Sequence, residues 1–382
     1  MLNSSNSLLA KYETLKKSYY EIDIAADNFF GKTNKDNLEN CEKFITAHLE
    51  KGGKDEVHEI PWIQEFQRSN KHIHVVSLYL LGLTFQNSMS AFIKEEIGHF
   101  ILSHDWYDYK YTWFLTCLYH DIASNIERGK LPANPPEQQK HLTYYLGDNN
   151  IQYTIFDREL SWDTYHPRLS ASLVKNYFYY RASCGECDHG ILGGYYLFDR
   201  LYKNFLKNTR HGISTDSLHR TREHIPHFAY ICDAIICHNI WTTRSFDVPE
   251  SDRPKIEKSI ETYKCFGLSP LIYKLREDRL KFEEHPLQFL LCLLDTIEPV
   301  KRLNDEECYN LSSGVKDVLS SINISISPCN DAVHNFFLKI SWEDALSSRS
   351  GFKQWNNSIL NIKNWLYVAV ERYGSNCFTL KF

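Results

Sequence analysis

The sequence predicts a mainly α-helical protein with a small β-containing carboxy-terminal appendage, and three observations carry that reading. Over residues 72–302, apolar stretches such as VVSLYLLGLTF, WFLTCLY, YYLFDRLYKNFL, FAYICDAIIC and PLQFLLCLLD alternate with polar, Pro-rich or Gly-containing connectors, which is how a helical bundle reads. Ahead of them, Leu8, Leu9, Tyr12, Leu15 and Tyr19 recur at three- and four-residue spacings, the period of one helix face. After about residue 318 the period drops to two, because SINISISP and NFFLKISW alternate apolar with polar residues and the chain closes on CFTLKF.

In order, residues 1–65 are expected to form a polar helical lead-in with a loop at Lys51-Gly52-Gly53-Lys54. Residues 66–317 form the helical core, interrupted by the connector LPANPPEQQK, and residues 318–382 form the small α/β appendage with one helix over 352–370. No repeat of solenoid period and no low-complexity tract is present.

A chain of 382 residues with 43% hydrophobic and 14% aromatic content can bury a substantial core, as one large domain or as two modules. The eleven cysteines are odd in number, and Cys117, Cys232, Cys237 and Cys292 sit inside apolar helical patterns, which predicts reduced thiols and a cytoplasmic home. The amino terminus MLNSSNSLLAKYETLKK lacks the order of a secretory signal. The longest apolar runs, such as 287–294, fall well short of the roughly 20 residues that span a bilayer, so no membrane association is expected. With 43 basic against 48 acidic residues, the net charge of −5 gives no global attraction to polyanions. The sequence has no GxxxxGK[ST] phosphate loop, no GxGxxG fingerprint and no GxSxG elbow, which argues against ATP-driven, nicotinamide and serine-hydrolase chemistry.

The strongest chemical signal is Tyr119-His120-Asp121, which closes the apolar stretch 113–118 and so places two metal-competent side chains at the end of a buried helix. Neighbours on a helix point about 100° apart, but the terminal backbone can turn and bring both to one ion. Taken alone, such a pair also fits a surface cap. His74 opens VVSLYLLGL, and a histidine entering so apolar a helix needs partners for its ring nitrogens. Asp295 lies in LLCLLDTIEPV, where a carboxylate among leucines is costly to ionise unless it is paired or bound to a metal. Each could be a buried hydrogen-bonding group; together they make a set of nitrogen and oxygen donors.

A histidine opening one helix, a His-Asp pair ending another and a distant aspartate resemble the HD phosphohydrolase superfamily over about residues 60–305. The segments IHVVSLYLLGL, WFLTCLYHDIA, CDHGILGGYYL and LLCLLDTIEPVKR look most like the HD branch found in bacterial conflict and antiviral defence systems. His189, which opens a helix with Gly193-Gly194 behind it, and His238, which ends FAYICDAIICHN, fit the extended motif that holds a second metal; either could instead be a satisfied core histidine.

The resemblance implies a divalent transition-metal centre of one or two ions (Mn, Fe, Co, Ni or Zn), a type of ion that mixed imidazole and carboxylate donors suit. Asp121 would bridge, His74, His120 and Asp295 would complete one shell, and His189 and His238 the other, with Asp121, His189 and His238 acting in catalysis. The implied activity is hydrolysis of a nucleotide phosphoester or phosphodiester by metal-activated water. The alternatives are an HD-type nuclease acting on DNA or RNA in a defence system, or a nucleotide-binding helical scaffold without turnover.

Three residues are expected on the substrate side. His72 competes with His74 for the first ligand position, and the resemblance favours His74, whose spacing to Gly82 and the VVSLYLLG stretch is more like that of the family's first helix. Arg222, within HRTREH, and Arg302 supply guanidinium groups suited to bidentate phosphate contact, although a solvated face explains them equally well. Cys184-Gly185-Glu186-Cys187 lacks a second compact ligand pair and is read as adjacent thiols rather than a zinc site.

Overall fold

The apolar stretches fold as helices in a computed structural model that describes residues 7–19, 44–45, 71–89, 109–124, 131–132, 135–157, 167–210, 215–302, 314–330, 335–347 and 350–382. The helices used below are α1 (Leu8–Tyr19), α2 (Lys71–Ser88), α3 (Tyr109–Tyr119), α4 (Ala171–Ser183), α5 (His189–Arg210), α6 (Thr215–His238), α7 (Pro286–Ile297) and α8 (Ser350–Asn361). Four strands, β1 (Ile322–Pro328), β2 (Phe336–Trp342), β3 (Ala369–Arg372) and β4 (Cys377–Lys381), form one antiparallel sheet in the order β1-β2-β4-β3. The protein is therefore mainly helical with a small sheet near its carboxy terminus, as its periodicities predict. Among the described residues, no helix is long and apolar enough to cross a membrane.

One element differs from expectation. The helix predicted over 352–370 stops at Asn361, a 3₁₀ turn covers Ile362–Asn364, and residues 369–372 are the strand β3. The segment's apolar residues fit both periods, and pairing decides: Val370 faces Leu380 and Glu371 faces Thr379 in register with β4. The hairpin ladder with β4 outweighs a weak local helical preference.

The chain divides into two compact units. The first joins Met1–Lys94 to Leu293–Phe382. In it, α1 packs on α2, and the Tyr12 hydroxyl donates to the Ser77 carbonyl at 3.0 Å. The sheet turns Ile324, Leu338, Ile340, Phe378 and Leu380 to its buried face, alternating with more exposed neighbours as a one-sided antiparallel sheet requires. Trp355 of α8 closes on Trp342 with ring centroids 5.2 Å apart, both indoles fully buried. Strand β1 is a sheet edge, and the Lys11 ammonium of α1 donates to its Ile324 carbonyl and, at 3.3 Å, to Asn323 Oδ1.

The second unit is Glu95–Cys292. Helix α3 is buried on every side from Thr112 to Tyr119, which explains why its sequence shows no polar stripe. It packs on α5 and α6, which lie against each other. The pair Gly193-Gly194 sets those separations. A Cβ at Gly193 would sit 2.6 Å from the Tyr119 carbonyl oxygen, and one at Gly194 would sit 2.7 Å from the Cys232 carbonyl and 2.5 Å from Ile236 Cγ1. The absence of a side chain at these two glycines thus permits the close backbone approach.

Gly193→Ala should push α5 away from the end of α3 and lower stability by about 1–3 kcal/mol, the usual cost of overpacking a tight core. A urea midpoint equal to wild type would show that the two helices separate without cost.

Candidate functional site

In the first unit the site is built around a carboxylate. Glu298 follows α7 by one residue and is fully buried. Its Oε2 accepts from His74 Nδ1 at 2.8 Å and from the Lys301 backbone N–H at 2.9 Å. Its Oε1 accepts from the Ser77 hydroxyl and from the Val300 N–H at 2.9 Å. A buried carboxylate is tolerated when its lone pairs are met in this way, and four donors from two chain segments meet these.

The opposite side of the His74 ring is 3.1 Å, at Nε2, from Asp295 Oδ1. Both Asp295 oxygens also accept from Lys301 Nζ, each at 2.7 Å. Burial alone would lower the His74 pKa, but the hydrogen bonds to Asp295 and Glu298 outweigh burial and hold it above the ordinary histidine value. Because Glu298 commits the Nδ1 proton, the Nε2 proton is the one that an incoming ion would displace.

In the second unit the donors gather at helix ends. His120 and Asp121 lie just past the last residue of α3, in a turn closed by Ile122 N–H to Tyr119 O and Ser124 N–H to Asp121 O. That turn is the terminal bend that brings the two adjacent side chains toward each other. His120 is fully buried and donates from Nδ1 to the Cys117 carbonyl at 2.7 Å, which leaves the lone pair on Nε2, 3.9 Å from Asp121 Oδ2. His238, the last residue of α6, repeats this arrangement by donating from Nδ1 to the Ile235 carbonyl at 2.6 Å. The rings of His120 and His189 each lie edge-on to that of His238, at 5.4 and 5.3 Å.

His189 is held differently. Asp188, fully buried, caps α5 by accepting the Ile191 N–H at 2.9 Å, which fixes His189 as the first helical residue. Asn239 Nδ2 donates to Asp188 Oδ2 at 3.0 Å and points at His189 Nδ1 at 3.4 Å. The contact with Asp188 fixes which end of the amide faces His189, so Nδ1 is an acceptor and Nε2 carries the proton. That Nε2 is 3.2 Å from Asp121 Oδ1.

The six residues expected as metal ligands thus fall into two sets: His74 and Asp295 in the first unit, and His120, Asp121, His189 and His238 in the second. In the first unit, His74 and Asp295 offer an imidazole and a carboxylate of the kind that can hold a metal ion, the first buried and the second half-buried. No cysteine belongs to that group, and Cys184 is exposed while Cys187 is buried. The side chains of His72, Arg222 and Arg302 lie outside the described residues. Glu298, Asp188 and Asn239 were not anticipated. Glu298 could have been found by the reasoning applied to Asp295, since it also stands in the apolar run LLDTIEPV, one helical turn further on.

No protein-family model matches the chain, and no curated protein or solved structure matches it.

Glu298→Gln should weaken transition-metal affinity by about 10–100-fold, as loss of a partner that orients a ligating imidazole does. Isothermal titration with Mn²⁺ measures it, and an unchanged affinity would separate Glu298 from metal binding. A second expectation concerns pH in chelator. The folded pKa of His74 lies above its unfolded value, so the protonated ring stabilises the fold fully below the unfolded value. That contribution disappears as pH rises through the folded value. The stability difference between wild type and His74→Gln should accordingly shrink with rising pH, and a pH-independent difference would contradict the assignment.

Proposed function

We propose that the chain is a metal-dependent phosphohydrolase of the HD type, cleaving a phosphoester or phosphodiester of a nucleotide with a metal-activated water. The observation that carries this reading is the disposition of three imidazoles. His74, His120 and His238 each commit Nδ1–H to a carboxylate or main-chain carbonyl, which reserves Nε2 as the nitrogen that can face an ion. Orientation by an outer oxygen is the usual condition of metal-bound histidine. The carboxylates of Asp121 and Asp295 add oxygen donors, and mixed imidazole and carboxylate donors suit Mn, Fe, Co, Ni or Zn.

In this reading, as the resemblance implies, His74, His120, Asp121 and Asp295 would hold one ion, and His189 and His238, with Asp121, would provide for a second. A bound ion supplies positive charge for a phosphoryl oxygen and lowers the pKa of a water. The protein's own residues do the rest. Glu298 and the Cys117 and Ile235 carbonyls fix three rings in the ligating tautomer. Asp121 has an oxygen directed toward each of two histidines, His120 and His189. With a single ion bound, His189 would keep its Nε2 proton beside Asp121 and act as the proton donor. Ligation of a second ion at Nε2 requires that proton to leave.

Metal analysis of wild type and Asp121→Ala, followed by a Mn²⁺-supplemented hydrolysis screen of nucleoside triphosphates, cyclic nucleotides and single-stranded DNA and RNA, tests the proposal. Wild type should hold near-stoichiometric transition metal. The variant should lose at least about 100-fold in affinity, since outer partners alone account for 10–100-fold, and should lose turnover with it. Metal content and hydrolysis unchanged in the variant would refute the proposal. Nucleotide binding without product under every metal would identify a scaffold instead.

A further inference from the structure

Lys301 is the cation already seated on Asp295. Its ammonium contacts both carboxylate oxygens at 2.7 Å, while its own backbone N–H is tied to Glu298 Oε2, the oxygen that also holds His74. The anchor of the side chain and its target therefore belong to one hydrogen-bonded assembly. The lysine and aspartate side chains are 29% and 16% exposed, so the pair faces outward while Glu298 behind it is sealed. Two full positive charges cannot share one carboxylate at hydrogen-bond distance without mutual repulsion. An ion that takes an Asp295 oxygen must shift this ammonium, and the stem of a lysine is flexible enough to let it swing while its backbone stays fixed.

We propose that Lys301 is a metal-displaced, phosphoryl-binding residue: it neutralises Asp295 until a divalent ion binds there, and the released ammonium then grips the phosphoryl group of the substrate. The inference rests on the metal centre proposed above and adds to it the residue that recognises the anion. A lysine suits this role because its ammonium is a compact point charge with three donors, able to exchange a carboxylate for a phosphoryl oxygen. Arg302, the guanidinium favoured on sequence grounds, is its immediate neighbour.

The test is the reactivity of the Lys301 amine toward an acylating reagent, read by peptide mass spectrometry on the full-length protein. Lys203 is the internal reference, because it makes a 2.7 Å ion pair with Asp199 and is 31% exposed, close to Lys301. Saturating Mn²⁺ should raise labelling of Lys301 several-fold over Lys203, and millimolar inorganic phosphate added with Mn²⁺ should suppress it again. Lys301→Met, checked for a wild-type melting curve, should bind Mn²⁺ about tenfold tighter, the weight of one charge-assisted contact removed from competition, and should raise KM more than it lowers kcat. Lys301→Arg should retain part of the phosphate affinity if the methionine variant folds poorly. Mn²⁺ binding by wild type with Lys301 labelling unchanged relative to Lys203 overturns the inference and leaves the metal centre standing. No Mn²⁺ binding at all overturns both.

Discussion

The carboxylate of Glu298 is the constraint on which the first unit's site depends. A fully buried carboxylate without partners would cost several kcal/mol, so the chain around it must deliver donors. Helix α2 brings His74 and Ser77, three residues apart and therefore on one face, and the turn after α7 brings the N–H groups of Val300 and Lys301. One acidic residue thus fixes which side of α2 faces the end of α7 and, through the ring of His74, where Asp295 and Lys301 must lie. Tyr12 extends the same network by donating to Ser77 from α1.

In the second unit the equivalent constraint is geometric. Histidines placed at or just past the end of a helix can return a ring proton to a carbonyl three residues back, as His120 does to Cys117 and His238 to Ile235. Those carbonyls belong to the last helical turn, so the imidazole donates to a main-chain acceptor there while becoming oriented itself. The opposite solution holds at a helix start: Asp188 takes the orphan N–H and Asn239 presents a donor to His189, which reverses the protonation of that ring. Helix polarity therefore separates the three histidines of the second unit into two acceptor rings and one donor ring.

Much of this was legible in the sequence, and what was not has physical causes. The period of 3.6 in α1 and the alternation in β1 and β2 survive in the fold, because each expresses a strong local preference, whereas the proximity of His189 to Asp121 and of His238 to His120 is set by helix packing. The strand β3 was hidden because 369–372 reads as the tail of a helix until its partner β4 is supplied. Glu298 is passed over because a carboxylate beside Pro299 looks like a solvated turn, although the apolar run around it carries the same signal as that around Asp295, and the donors arriving from α2 account for its burial. The association of the amino-terminal helices with the carboxy-terminal sheet in one unit is likewise a matter of contacts between distant segments, which composition along the chain does not display.

The position of Lys11 has a consequence of another kind. An outer strand of seven residues offers a row of main-chain donors and acceptors to any passing extended peptide, and such rows seed fibrils when left bare. The α1 ammonium sits on the Ile324 carbonyl in the middle of that row, and Pro328 removes a donor at its far end. The charge therefore acts as a gatekeeper against self-assembly, and it ties the colloidal behaviour of the protein to the docking of its first helix.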